Sequence, residues 1–192
     1  MTHLSIIGTG NMGSAIEALA TKGGHTVETF GTADKDKPVT GEIVILAVPY
    51  GALDEIVADR GEQLAGKVVV DISNPVNFET FDSMTVPADS SAAAQLAGKL
   101  PQSKVVKAFN TTFAGTLAAG EVGGELPTTV LIAGDDAQAK ESLAKVVGEA
   151  GLKAIDAGPL RRARELEALG FLQLTLAAGE KVSWTGGFGV AA

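Results

Sequence analysis

The stretch Leu4-Ser5-Ile6-Ile7-Gly8-Thr9-Gly10-Asn11-Met12-Gly13-Ser14-Ala15-Ile16 decides the fold of this chain. Leu4 to Ile7 is a short apolar run ending on a glycine, the pattern of a buried strand. From Met12 to Thr21 apolar side chains recur at Met12, Ile16, Leu19 and Ala20, the spacing of one helix face, and Gly23-Gly24 stop the run. Between strand and helix lies G-x-G-x-x-G. In such a turn Gly8 makes the tight bend, Gly10 lets backbone amides approach a pyrophosphate, and Gly13 lets helix and strand pack closely. The helix N-terminus adds the positive end of its dipole. The motif alone is weak evidence. A strand before it, a helix after it and a second strand from His25 to Phe30 supply the context a dinucleotide site requires. The loop lacks the Lys-Ser/Thr ending of a Walker A motif, which excludes a nucleotide triphosphatase of that type.

Working outward, only Gly31 to Glu42 separate the second strand from the buried run Ile43-Val44-Ile45-Leu46-Ala47-Val48. A helix and another strand do not fit there, but an extended chain rising about 3.3 Å per residue can cross back to begin a parallel strand. The third strand of a doubly wound sheet and its helix are therefore expected to be missing or vestigial. Helices are expected over Gly51 to Leu64, from an Asp89 or Ser90 cap to about Lys99, over Asp136 to Glu149 capped by Asp135, and from Pro159 to about Ala178. Strands are expected at Val68 to Val70, Lys104 to Phe109, Thr128 to Ala133 and Leu152 to Asp156; Asn110 to Ala119 reads as a loop and short helix. This alternation predicts an α/β fold of Rossmann type, with a mainly parallel, doubly wound sheet, the shortened segment after the second strand and a small C-terminal lobe. Residues 1–109 are read as the dinucleotide-binding domain, and 110–192 as strands and helices packed on it for an acceptor site or a dimer contact.

Composition narrows the partners. The chain has 192 residues, 45% hydrophobic and 20% charged, an ordinary globular balance. Its formal charge of −8 argues against nucleic acid or an anionic membrane surface. No cysteine is present, which removes disulfides, thiolate metal sites and cysteine nucleophiles. No basic leader precedes the first strand, and the apolar stretch Ala168 to Gly179 is too short to span a bilayer, so a cytoplasmic protein is expected. Asp34, Asp36, Asp135 and Asp136 read as turn and cap residues, and no metal is expected.

The end of the second strand bears on the cofactor. An NAD site wants a carboxylate there for the ribose 2′-hydroxyl. This chain has Phe30-Gly31-Thr32-Ala33-Asp34-Lys35, with no acid at the strand tip. Thr32 offers a hydroxyl, and Lys35 or Lys37 offers charge for a 2′-phosphate, which favours NADP(H); both lysines also suit a solvated loop. Ligands lie beyond the carboxyl ends of parallel strands. Those tips are Ala47-Val48-Pro49-Tyr50, Ser73-Asn74-Pro75 and Ala108-Phe109-Asn110-Thr111-Thr112, small, amide or proline residues suited to a nicotinamide and its ribose. Tyr50, the sole tyrosine, belongs either to the site or to a helix start.

No side-chain catalyst stands out. His3 and His25 begin strands, at the end opposite the ligands, and no Tyr-x-x-x-Lys pair or Ser-His-Asp set is present. A carbonyl reductase needs a proton donor beside the hydride acceptor. Transfer to a flavin-like ring needs mainly the alignment of two flat rings. Arg161, Arg162 and Arg164 crowd the start of the last helix, either as an anion site or paired with Glu165, Glu167 or Asp156. The tail Trp184-Thr185-Gly186-Gly187-Phe188-Gly189 suits a pocket wall, a docked terminus or a dimer contact.

The glycine loop taken together with Ala47-Val48-Pro49-Tyr50, Ser73-Asn74-Pro75, Lys107-Ala108-Phe109-Asn110-Thr111 and Asp156-Ala157-Gly158-Pro159-Leu160 resembles the NADPH-dependent F420 reductase family. It is also similar to the reductase domain of the six-transmembrane metalloreductases. The resemblance implies hydride transfer between NADP(H) and a deazaflavin (F420) or flavin, with the glycine loop and Thr32 on the phosphates and Pro49 and Asn110 near the nicotinamide. The family's Ser-Arg pair for the 2′-phosphate is Thr32-Ala33 here, with Lys35 as the substitute. The expected cofactor-binding set is Gly8, Thr9, Gly10, Asn11, Met12, Gly13, Gly31, Thr32, Lys35, Ala47, Val48, Pro49, Tyr50, Asn74, Pro75, Ala108, Asn110 and Thr111. The alternatives are reduction of a small imine or carbonyl compound, and dinucleotide sensing without turnover. A small-molecule hydride acceptor and a possible homodimer complete the expectation.

Overall fold

A computed structural model describes residues 1–191. Five parallel strands form its centre: β1 (His3–Ile7), β2 (Thr26–Phe30), β3 (Ile43–Leu46), β4 (Val68–Asp71) and β5 (Lys104–Lys107). β8 (Thr129–Gly134) joins β5 antiparallel and β9 (Lys153–Gly158) joins β8 in parallel, giving one sheet in the order β2-β1-β3-β4-β5-β8-β9. Helices α1 (Asn11–Lys22), α2 (Leu53–Leu64), α3 (Ala92–Lys99), α4 (Ala114–Ala119), α5 (Ala137–Glu149) and α6 (Ala163–Ala178) cover its two faces. Alternate residues of the all-buried run Ile43–Leu46 serve opposite sides. Ile43 and Ile45 pack with Ile16, Leu19, Leu143 and Val147 on one face. Val44 and Leu46 pack with Leu53, Leu64 and Leu96 on the other. A strand buried on both faces is expected to read as a continuous apolar run.

The missing third strand is observed. β3 pairs directly with β1, Leu4 opposite Ile43, and the segment before it holds only a 3-10 turn at Thr32–Asp34. Side chains hold this return loop in place of a ladder. Glu28 of β2 accepts from the amide of Thr40 at 2.8 Å and from the Ser5 hydroxyl at 2.5 Å. Burial pushes the Glu28 carboxyl up, but the bonds from Ser5, Thr40 and Gly41 outweigh it and leave the group below the usual glutamate range. Gln63 of α2 accepts from the Val39 amide, and Lys67 donates to the Gly41 carbonyl. Buried Arg60 donates to the carbonyls of Lys37 and Asp34.

Several boundaries differ from the sequence reading. The cap of α3 is Ser91, not Asp89 or Ser90, because its hydroxyl reaches the Ala94 amide at 3.0 Å. The cap of α5 is Asp136, whose carboxylate takes the Ala139 amide at 2.8 Å. Asp135 instead accepts from the Leu160 amide, tying the start of the last helical segment to the end of β8. β5 stops at Lys107, because Phe109 takes a left-handed φ of 62° and turns the chain out of the ladder. A short hairpin, β6 (Glu121–Val122) and β7 (Leu126–Pro127), was not legible in the sequence. No helix among the described residues is long and apolar enough to cross a membrane.

Candidate functional site

The chain reverses direction across the sheet at β1, running out to β2 and back to β3, and the glycine loop lies at this switch point. Its glycines differ in what they are needed for. Gly8 has a φ of 120°, and a Cβ there would sit 2.1 Å from the Ala47 carbonyl oxygen. A Cβ on Gly13 would sit 2.1 Å from the Gly8 oxygen, so both are demanded by the packing of the protein itself. Gly10 is different. It has ordinary extended geometry and no protein atom within 4 Å of a Cβ built on it. It is the N-cap of α1 without a side-chain cap, and no acid stands in the first turn, so the amides there await an acceptor. The open cradle over uncapped amides fits a pyrophosphate.

Two cavities flank this loop. One, of about 170 Å3, is bounded by Gly8, Thr9, Gly31, Thr32, Lys35 and Val48. Three charged residues of α2, Glu55, Asp59 and Arg60, also line it, and none was singled out from sequence. Lys35 is held by Glu55 at 2.5 Å and Asp59 at 3.1 Å, and these hydrogen bonds raise its pKa. Lys37 turns to Asp34 instead and lies outside the cavity lining.

The other cavity, of about 490 Å3, opens beyond the tips of β3, β4 and β5. Gly10, Asn11, Met12, Ala47, Val48, Pro49, Tyr50, Asn74 and Asn110 of the expected set line it. Phe78, Phe109, Phe113, Leu174 and Trp184 add its large apolar groups, Ser73 is among the smaller ones, and no lining residue carries a charge at neutral pH. The remaining expected residues lie behind this surface. Gly13 packs on Gly8, Pro75 and Ala108 are buried, and the Thr111 carbonyl accepts from Gln173.

The strand tips are held by long-range contacts. Asn74 donates to the Asn110 carbonyl, and Asn110 returns one bond to the Asn74 side chain and another to the Leu166 carbonyl of α6, each at 2.9 Å. Gly170 permits this approach, since a Cβ there would lie 2.4 Å from the Asn74 side-chain oxygen. Beneath the tips a fully buried Lys107 meets Asp71 at 2.9 Å and Glu167 at 2.8 Å, and donates to the Ser73 carbonyl. Glu167 also takes the Ala92 and Ala93 amides that begin α3. Glu167 therefore turns into the core rather than to the arginines. Arg162 pairs with Glu165 at 2.7 Å, Asp156 pairs with Lys140, and Arg161 and Arg164 form no ion pair among the described residues.

Trp184 packs on Phe113 with ring centroids 4.9 Å apart, and buried Gln173 accepts from the Phe188 amide, so the tail forms part of the cavity wall. Tyr50 presents its ring to the cavity but gives its hydroxyl to Gln95 at 2.6 Å, and burial raises its pKa. Ser73 and Asn110 each keep a buried oxygen, Oγ and Oδ1, without a hydrogen-bond partner. A carboxamide carries the acceptor and the donor that these two atoms lack. Buried His25 accepts from the Thr2 amide, far from either cavity. No group of acidic or histidine residues suited to a metal is present among the described residues.

An F420-dependent NADP reductase of Methanocaldococcus jannaschii is 30% identical over 167 residues, spanning 85% of this chain and 74% of its own. The chain belongs to the F420-dependent NADP reductase family. A crystal structure assigned as an F420-dependent NADP reductase from Arthrobacter sp. FB24 superposes with a TM-score of 0.84, at 25% identity and full coverage of both chains. Metalloreductase STEAP3 of Rattus norvegicus is 34% identical over 135 residues, 70% of this chain but 26% of its own length. No protein-family model matches the chain.

Proposed function

We propose that this protein, an NADP-dependent oxidoreductase by family, transfers hydride between NADPH and the flat ring of a deazaflavin or flavin. The observation that carries this reading is the uncharged, aromatic cavity joined to the glycine loop. Gly10 and the free amides of α1 hold the pyrophosphate. Pro49, Asn74 and Asn110 flank the nicotinamide, with the Ser73 and Asn110 oxygens taking its carboxamide. Tyr50, Phe78, Phe113 and Trp184 form an apolar wall on which a planar acceptor would stack, covering the half-exposed Phe78 and Trp184 rings. Bound NADPH would supply the hydride, and the acceptor ring stores the electron pair.

The same lining speaks against a carbonyl reductase. Reduction of a carbonyl needs a proton delivered to the developing oxygen. Tyr50 is the one titratable side chain in the wall, and its hydroxyl proton is already given to Gln95. Residues 110–192 supply the acceptor-facing half of the site, and a homodimer would use the exposed Leu172 and Phe188 of α6 and the tail. Sedimentation velocity tests the dimer.

Stopped-flow oxidation of NADPH by F420, FMN, riboflavin, a cyclic imine and a simple ketone tests the acceptor. Fast reduction of the planar rings alone is expected. Turnover of the imine or ketone and not the rings overturns the reading, and tight NADPH binding without any turnover points to a sensor.

A further inference from the structure

We infer that Arg60, carried by α2, is the cation through which this protein recognises the 2′-phosphate of its dinucleotide, with Lys35 restrained beside it by Glu55 and Asp59. The inference rests on the dinucleotide reading above and assigns its selectivity to a helix that the β2 tip does not contain. Arg60 is only 3% exposed yet lines the smaller cavity, next to Thr32 and Lys35. Its guanidinium donates to the Lys37 carbonyl at 2.8 Å and to the Asp34 carbonyl, and it lies 5.0 Å from the centre of the Phe30 ring. No carboxylate comes within 4.0 Å of it to form an ion pair among the described residues. Carbonyl dipoles and a ring face ease the loss of hydration, and Asp34, which feels the Arg60 charge, gives its own ion pair to Lys37 at 2.7 Å. A buried cation that forms no ion pair among the described residues, in the lining of this cavity, favours an anion there.

Lys35 is arranged in the opposite way. Its ammonium faces two carboxylates, Glu55 and Asp59, and both line the same cavity. Those acids neutralise Lys35 and oppose an incoming phosphate, so selectivity depends on Arg60 outweighing them. The Thr32 hydroxyl, at the 3-10 turn whose Asp34 carbonyl Arg60 holds, adds a donor beside the same space. One side chain thus fixes the loop and sets its charge. A loop staple alone would support both dinucleotides equally, whereas a phosphate-binding cation acts only on the phosphorylated one.

Titration calorimetry separates the two roles, with NADPH against NADH and 2′,5′-ADP against 5′-AMP as probe pairs that differ by one phosphate. Arg60→Met is expected to weaken NADPH and 2′,5′-ADP by about tenfold or more, while NADH and 5′-AMP stay within about twofold. Arg60→Lys recovers part of the loss. The double variant Glu55→Gln/Asp59→Asn gains several-fold for NADPH. Equal weakening of NADPH and NADH in Arg60→Met, or equal affinity for both in the unaltered protein, overturns the inference. If Arg60→Met does not fold, Arg60→Lys decides, and a ratio of NADPH to NADH affinity equal to that of the unaltered protein overturns the inference. Failure to bind either dinucleotide overturns the proposed function as well.

Discussion

The two cavities beside the glycine loop are built on opposite principles. The smaller one is edged by Lys35, Glu55, Asp59 and Arg60, and the larger one by aromatic, amide and aliphatic groups without a charge. Charge distinguishes ligands that differ by a phosphate, because a phosphate must replace its hydration with counter-charge and donors. Shape and an apolar surface suit a planar ring, whose affinity comes from burial and stacking. On the proposed reading, one end would sort ligands by charge and the other by fit. The glycine loop between them would serve both by leaving space.

The comparison can be broken most severely from beneath the uncharged cavity. Lys107→Met leaves Asp71 and Glu167 buried without their cation, and is expected to cost about 3–5 kcal/mol of stability. Urea unfolding measures it, and a loss under about 1 kcal/mol would show that the triad is dispensable. Gly10→Ala tests the space between the cavities. NADPH and NADH should both weaken by about tenfold or more in calorimetry. The melting temperature should hardly move, because no protein atom lies near the added methyl.

Trp184→Ala addresses the apolar wall alone. The acceptor KM should rise by about tenfold while the Kd for NADPH stays within about twofold, since a stacked aromatic contributes about 1 kcal/mol beyond its burial. Parallel rises in both would mean that the tail supports the whole fold. Glu28→Gln loosens the return loop by about 1 kcal/mol at neutral pH. Because the folded pKa of Glu28 is lowered, its contribution is complete above the usual glutamate value and fades as pH falls through the folded value. Denaturation of the two proteins should therefore converge in acid. The smallest effect is expected from salt. Raising ionic strength should weaken NADPH modestly and leave the acceptor KM unchanged, as befits one charged and one uncharged cavity.

The glycine loop was readable because its function is local. Strand, turn and helix follow one another within a few residues, and backbone amides make the site. The missing third strand was readable for a similar reason, since Gly31 to Glu42 leave too little chain for it. Helix caps were missed by one residue at Ser91 and Asp136, where neighbouring polar residues compete and only the geometry of each turn selects the winner. Gly13, Pro75, Ala108 and Thr111 lie in the motifs but behind the cavity surface, Gly13 of α1 against the Gly8 carbonyl and the others buried in the turns that follow β4 and β5.

Arg60 was invisible for a different reason. Nothing near it in sequence marks it as more than one polar residue of an amphipathic helix, and its contacts with Phe30 and the return loop form only when α2 docks there. Phe113 and Trp184 meet in the same way, across a chain separation that no periodicity reports. The sequence by itself determined a mainly parallel α/β sheet with a strand, glycine turn and helix at Gly8 to Gly13, because periodicity and turn chemistry are short-range. Only the tertiary structure decided which cavity is charged and which is not, because each wall is assembled from elements distant in the chain, and their burial sets how strongly each charge acts.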